Sequence, residues 1–334
     1  MCNFAPKVTM MNTLDQIQAP IQAELQTFRE QFAHTLQSDN QLLQLALDHI
    51  LKRTGKMVRP TMVLLSARMA GGVNQQVMDV ALALELLHTA SLVHDDVVDE
   101  SDKRRGLPSL NALMTNQIAV LVGDFILSKA LHHAVLTGST EIVSAVATLG
   151  QTLADGELHQ LANMDSDILD EASYYGVVRK KTASLFATCA QLGVMAAGGT
   201  AEQTERMRQL GSLVGTCFQL KDDLMDFCGN KQLGKPAGND MREGKITLPV
   251  ISALKHSQDE EIGRLALKVR RLEATEEDIE TLTRLVTEKG GVDYTLWAMK
   301  EFSVMADGLI DEQAEASVVK ALHDFVLFMS ERDF

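Results

Sequence analysis

The sequence predicts an all-α protein, and three observations carry that expectation. Apolar residues recur with helical spacing from end to end. No run alternates apolar and polar residues as a half-buried strand would, and the composition is rich in Ala, Leu, Met and Glu but only 4% aromatic. A first helix is expected over 13–36, preceded by an extension, 1–12, expected to be poorly ordered. The second runs over 41–70 and stops at Ala70-Gly71-Gly72; the third, over 75–99, ends in acids. Further helices are expected over 117–136, 140–163, 171–197 and 202–227, separated by Gly106-Leu107-Pro108, Thr137-Gly138-Ser139 and Gly198-Gly199. Three or four shorter amphipathic helices fill the last third. None of the breaks is long enough for a linker, so 1–334 reads as a single domain.

Hydrophobic residues at 46% exclude a disordered chain. Lys and Arg total 31 against 45 Asp and Glu, a formal charge of −14, which argues against duplex nucleic acid or an anionic membrane as partner. Four scattered cysteines suit neither a disulfide scaffold nor a zinc site and fit a reducing cytoplasm. The uncharged stretch 182–201 is long enough to span a bilayer, but its Ser, Gln and Gly residues make it a buried helix instead. No transmembrane segment is expected.

The chemistry is concentrated in two acidic clusters. Leu92-Val93-His94-Asp95-Asp96-Val97-Val98-Asp99-Glu100 ends an apolar helix without a neutralising Lys or Arg, and Asp95 and Asp99 share one face. Asp222-Asp223-Leu224-Met225-Asp226 repeats the Asp-Asp-x-x-Asp spacing, again at the end of an apolar helix. Carboxylates at helix C-termini oppose the macrodipole, so capping explains neither set. One cluster could be a solvated helix end; two in matching context point to a hard cation. Mg²⁺ is the natural choice, because it takes oxygen ligands and is normally held by one or two carboxylates together with substrate phosphates. Basic residues stand at matching places: Lys56 and Arg59, Arg104-Arg105, Lys180-Lys181, Lys235, Arg242 and Lys245. As a set they suggest two anionic ligands, one bridged by metal and one held by bases.

These motifs resemble those of the trans-isoprenyl diphosphate synthases, the polyprenyl synthetase family. The matching elements are Gly-Lys-x-x-Arg-Pro at 55–60, Glu85-x-x-His88, Asp95-Asp96-x-x-Asp99 followed by Arg104-Arg105-Gly106, and Gly123-Asp124. Further on come Lys181-Thr182, Phe218-Gln219-x-x-Asp222-Asp223-x-x-Asp226, Gly234-Lys235 and Gly244-Lys245-x-Thr247-Leu248-Pro249. The resemblance implies a helical bundle of the isoprenoid synthase type around a central cavity. It implies a metal-binding role for Asp95, Asp96, Asp99, Asp222, Asp223 and Asp226, with Asp95, Asp99, Asp222, Lys181 and Lys235 catalytic and three Mg²⁺ ions per substrate-bound site. Arg104, Thr182, Gln219 and Lys245 resemble contacts to the allylic diphosphate, and Lys56, Arg59, His88 and Arg105 those to isopentenyl diphosphate. Met57 departs from the family's usual Arg. The Gly- and Pro-bearing segment 228–244 reads as a mobile loop and is expected to close the site; the family further implies a homodimer, and peripheral membrane contact is expected on product release.

The implied reaction ionises an allylic diphosphate and adds isopentenyl units with loss of a proton. Chain length then depends on the helix below Asp95: Ser91 lies one turn deeper, Ala90 beside it and Leu87 a further turn down. Neither Ala90 nor Ser91 can plug a tunnel, which resembles the long-chain members and suggests a quinone side chain as the product's use. The floor is expected from Leu84 or Leu87 with a residue of 142–149. A short-chain synthase, a terpene cyclase and a non-catalytic regulatory subunit are the alternatives. The isopentenyl-site bases argue against the cyclase, and possession of both acidic clusters against the regulatory subunit.

Overall fold

The computed structural model describes residues 13–52, 55–104, 106–164, 166, 168–229 and 238–331. The extension 1–12, Arg105, and residues 230–237, including Lys235, of the loop expected over 228–244 lie outside the described residues.

The first expected helix is divided by Pro20 into α1 (Leu14–Gln18), a 3₁₀ turn (Ala19–Ile21) and α2 (Gln22–Thr35). The expected 41–70 helix is two elements, α3 (Gln41–Leu51) and α4 (Val58–Ala70). Between them Met57 adopts a left-handed conformation, φ 55°, and Pro60 sits in the first turn of α4, where a missing N–H costs nothing. α5 (Gln75–Val98) starts where the Asn74 side chain accepts the Val77 N–H at 2.9 Å, a cap worth about 1 kcal/mol. It ends just before Glu100, itself left-handed at φ 48°. A minimal antiparallel pair follows, β1 (Lys103–Arg104) and β2 (Leu107–Pro108), turning at Gly106. It is too short to have left an alternating pattern in the sequence.

Next come α6 (Leu110–Leu113), α7 (Asn116–Leu136), α8 (Thr140–Met164) and α9 (Glu171–Val178), which runs through a π turn (Arg179–Ala183) into α10 (Ser184–Ala196). α11 (Ala201–Cys228) is the longest helix, and α12 (Asn239–Arg242), α13 (Leu248–Ser257), α14 (Glu260–Arg270), α15 (Glu276–Glu288), α16 (Gly291–Asp307) and α17 (Ala316–Glu331) complete the chain. The all-α expectation holds. The uncharged 182–201 stretch is buried, as expected, although it is split between the π turn and α10.

Two apolar cores are buried. One gathers α1–α5, α7, α8, α10, α17 and the first half of α11; the other forms around Leu220, Leu224 and Phe227 with α13–α16. α11 therefore runs through both, and its acidic end belongs to the stretch that packs in the second. α5 packs most extensively on α7, and α10 on α11 and α4. α5 and α7 are long and apolar enough to cross a bilayer by length and composition alone; 72% of that stretch in α5 but only 33% in α7 is buried.

Candidate active site

Asp95 and Asp99 leave the end of α5 together, with the Asp99 N–H bonded to the Asp95 carbonyl at 2.8 Å. Asp95 is half-buried, and burial pushes its carboxyl up to about 6; Lys181 and Arg104 pull it down while Glu157 and Asp99 raise it. Asp96 points elsewhere. It is 3% exposed and pairs with Arg104 Nε at 2.5 Å, which ties the β-hairpin back to α5. His94 is engaged by Asp124 and the Val120 carbonyl, both at 3.4 Å, as befits a packed helix residue rather than a base.

The π turn brings in the lysine that faces this acid pair. Such wide turns recur at functional sites. Here the turn depends on Gly156 of α8, where a Cβ would stand 2.9 Å from Lys180 Cβ and 3.0 Å from the Lys181 nitrogen. With that approach open, Lys181 Nζ reaches Glu157 at 2.5 Å and Gln160 at 3.2 Å. Gly215 does the same for α11, since a Cβ there would lie 2.7 Å from Ala183 Cα. Thr182 can then donate to Gln219 Oε1 at 2.7 Å.

The second cluster has the same spacing and a different environment. Asp223 is buried and accepts from Tyr174 Oη at 2.5 Å and Gln219 Nε2 at 2.7 Å. Asp226 accepts the Asp240 N–H at 2.9 Å, while its own carbonyl accepts from Gly238 at 2.8 Å. Burial raises Asp223, Asp226 and Asp240 alike; Asp222 and Asp226 raise Asp223 further, and Asp223 and Asp226 raise Asp240. Burial works to lower the Lys245 ammonium, but Glu243, Asp240 and Asp99 together raise it.

Part of this set lines one cavity of about 190 Å³, among others Gln160, Tyr174, Lys181, Thr182, Gln219, Asp223, Asp240 and Lys245. Lys181 is within electrostatic reach of Asp95, and Lys245 of both Asp99 and Asp240. The end of α5 therefore lies near the cavity that Asp223 of the second cluster lines. A second cavity, about 60 Å³, lies on the other side of α5 between Gly55, Glu85, His88, Asp96 and Arg104. Arg59 lies over the Phe186 ring, 5.4 Å from its centroid, and Lys56 is exposed ahead of α4. Met57 is buried in the core, its carbonyl accepting from Thr61, so the departure from the family's Arg is a packing residue here.

Leu87 and Ala90 are buried while Ser91 is half-exposed and donates to the His88 carbonyl at 2.9 Å. Glu157, Gln160, Tyr174 and Asp240 were not anticipated. Their signal is tertiary: Glu157 and Gln160 become site residues only because Gly156 admits the π turn.

A metal fits this donor set. Among the described residues no three or more His, Cys, Asp or Glu side chains form a ready cage, but carboxylate oxygens at two helix ends suit a hard cation completed by phosphate oxygens. An acid held as high as Asp95 by burial gains most from such a cation.

The polyprenyl synthetase family model matches residues 40–286. This chain belongs to that family. It is 34% identical over 323 residues to the octaprenyl diphosphate synthase of Haemophilus influenzae, covering 96% of this chain and 98% of that one. Among solved structures, a polyprenyl synthase from Caulobacter crescentus CB15, complexed with calcium and isoprenyl diphosphate, superposes with a TM-score of 0.89 at 32% identity, over 97% and 100% of the two chains. A geranylgeranyl pyrophosphate synthase from Bacteroides thetaiotaomicron gives 0.84 at 38% identity, over 96% and 100%. The chain is a prenyltransferase with the all-α isoprenoid synthase fold.

Proposed function

We propose that the enzyme condenses an allylic diphosphate, farnesyl or geranyl, with successive isopentenyl diphosphates in a Mg²⁺-dependent reaction, to give an all-trans long-chain product. The observation that carries the reading is that Lys181, within electrostatic reach of Asp95, and Lys245, within reach of Asp99, line the same cavity as Asp223 of the second cluster. The calcium and isoprenyl diphosphate named for the Caulobacter structure support it. Bound there, magnesium supplies Lewis-acid stabilisation of the departing diphosphate.

The chain's own groups do the rest. Asp95, Asp99 and Asp222 hold the cation, and Lys181, Lys245 and the Thr182–Gln219 pair orient diphosphate oxygens so that charge developing on C–O cleavage meets fixed donors. Asp223 and Asp96 act behind them, Asp223 fixing Gln219 and Tyr174, Asp96 fixing Arg104. His88, with Lys56 and Arg59, serves the isopentenyl diphosphate in the smaller cavity beyond α5. No protein nucleophile is required, and the released diphosphate accepts the proton.

A long product follows from the octaprenyl relative and the small side chains of Ala90 and Ser91; a quinone side chain is its proposed use. The geranylgeranyl relative favours a shorter product as the second reading. We read the chain as one domain working in a reducing cytoplasm, a compartment that the free buried thiols Cys189 and Cys217 support. A second copy would cover the exposed Leu121, Leu131 and Val135 of α7. Incubating the purified chain with farnesyl diphosphate, isopentenyl diphosphate and Mg²⁺ and weighing the products tests the reading. Polyprenyl diphosphates longer than geranylgeranyl are expected, and no condensation at all refutes it.

A further inference from the structure

The lysine of the π turn carries a contradiction in charge. Lys181 lines the same cavity as Asp223 and Lys245, where the reading above needs a cation for diphosphate oxygens. Its ammonium is nevertheless already paired with an acid, Glu157 Oε2 lying 2.5 Å from Nζ and Gln160 Oε1 3.2 Å. Glu157 thus neutralises part of the charge that an anionic substrate would meet. Burial makes this more than a surface contact. The neighbouring Lys180 pairs with Asp155 at 2.7 Å and lies 3.3 Å from His159 Nδ1, but the Asp155 side chain is 61% exposed, against 15% for Glu157. Exposed pairs of the first kind contribute little; a largely desolvated pair of the second kind fixes where the ammonium stands.

The competing partner explains what such a fix achieves. Of the charges around the half-buried Asp95, Lys181 is the one it feels most strongly. Among the described residues, however, Lys181 forms its ion pair with Glu157 and none with Asp95. An ammonium has three N–H donors and no acceptor, and Glu157 with Gln160 takes two of them on the α8 side. Without Glu157 the ammonium would turn to another carboxylate, and Asp95 is an acid within its reach. The lysine would then stand where a metal ion belongs.

We propose that Glu157 is a positioning residue: by holding Lys181 on the α8 side of the cavity, it keeps the Asp95 carboxylate open to the metal that bridges the diphosphate. This role rests on the metal–diphosphate reading above and deepens it, giving the acid beside Lys181 a task in metal loading rather than in substrate contact. Two simpler roles have different consequences. If Glu157 only adds negative field at the metal site, or binds the metal itself, its effect does not depend on Lys181. If it only repels diphosphate, removing its charge tightens binding.

The test is calorimetric titration of inorganic pyrophosphate at a series of Mg²⁺ concentrations, with circular dichroism melts, for wild type, Glu157→Gln, Glu157→Asp, Lys181→Met and Lys181→Met/Glu157→Gln. Asp155→Asn, which breaks the exposed pair next door, is the control. Glu157→Gln should raise the Mg²⁺ concentration for half-maximal binding on the order of tenfold. Glu157→Asp keeps the charge but draws the carboxylate back by a methylene, and should raise that concentration severalfold. It decides the matter if the Gln variant does not fold or Lys181→Met binds too weakly to titrate. In the Lys181→Met background Glu157→Gln should change the Mg²⁺ requirement by less than about twofold, and Asp155→Asn should leave it unchanged. A Glu157→Gln shift of equal size with and without Lys181, tighter binding by Glu157→Gln, an unshifted Glu157→Asp, or a shift in Asp155→Asn overturns the assignment while leaving the metal–diphosphate site in place. A wild-type chain that binds no pyrophosphate at any Mg²⁺ concentration removes that site, and this role with it.

Discussion

The two Asp-Asp-x-x-Asp clusters share a spacing and differ in what holds them. At the end of α5 the middle acid, Asp96, is taken up internally by Arg104, while Asp95 is half-buried within electrostatic reach of Lys181. At the end of α11 the middle acid is gripped by Tyr174 and Gln219, and Asp226 is occupied by the backbone that leads into α12. The spacing nominates six ligands; on the proposed reading the environments divide them into groups that would meet the substrate and groups that would brace the wall. The second site is the more rigidly supported of the two.

The largest effect should break the symmetry of the clusters. Asp95→Ala and Asp222→Ala, each folded by circular dichroism, should lose about 10³-fold or more in kcat/KM, in keeping with removal of a group that stabilises departing charge. Asp223→Asn should lose far less, because an amide of the same shape can keep a bond to Tyr174 or Gln219. Equal losses at Asp222 and Asp223 in a kinetic assay would erase the division of roles.

Tyr174→Phe removes a donor from a buried carboxyl. It should destabilise the fold by about 1–3 kcal/mol, seen as a lower melting temperature, with a smaller loss of rate than Asp222→Ala. An unchanged melt would show that Asp223 does not depend on this phenol.

At Asp95 stability should run the other way. Its carboxyl sits near 6 in the fold against 3.8 ordinarily, so its ionised form costs the metal-free fold stability above about pH 6, and the cost vanishes below about 4. Asp95→Asn should therefore stabilise metal-free protein at pH 8 by on the order of 1–2 kcal/mol, seen as a higher melting temperature, and leave it unchanged at pH 4. A destabilised Asn variant at pH 8 would mean the acid is held by favourable contacts instead.

The smallest effect concerns length rather than rate. Ser91→Phe should shorten the product, since Ser91 is half-exposed one helical turn below Asp95. Ala90→Tyr is the poorer choice, because Ala90 is 1% exposed and a ring there overpacks the core by about 1–3 kcal/mol. Mass analysis of the products decides it, and an unchanged Ser91→Phe distribution removes this face from the tunnel.

The contrast also explains what the sequence could disclose. The helices bearing the acids were legible because α5 and α11 are long, apolar and end abruptly in charge. The break between α3 and α4 was missed although Gly55 and the basic run before it mark a helix end; helical periodicity on both sides masked it. The hairpin at Gly106 holds two residues per strand, too few for any pattern. The π turn at Arg179–Ala183 leaves no local signature, since it is imposed by glycines on two other helices, Gly156 and Gly215. The bracing of Asp223 was equally hidden, because Tyr174 lies 49 residues before the carboxyl it holds.

The most direct test is a double-mutant cycle on Mg²⁺-dependent binding of inorganic pyrophosphate, followed by calorimetric titration of wild type, Asp95→Ala, Asp222→Ala and the double variant. If the two helix ends grip one metal-bridged anion, each single variant loses affinity and the double loses clearly less than the sum of the two losses. Fully additive losses, or an affinity untouched by either substitution, would contradict a shared site.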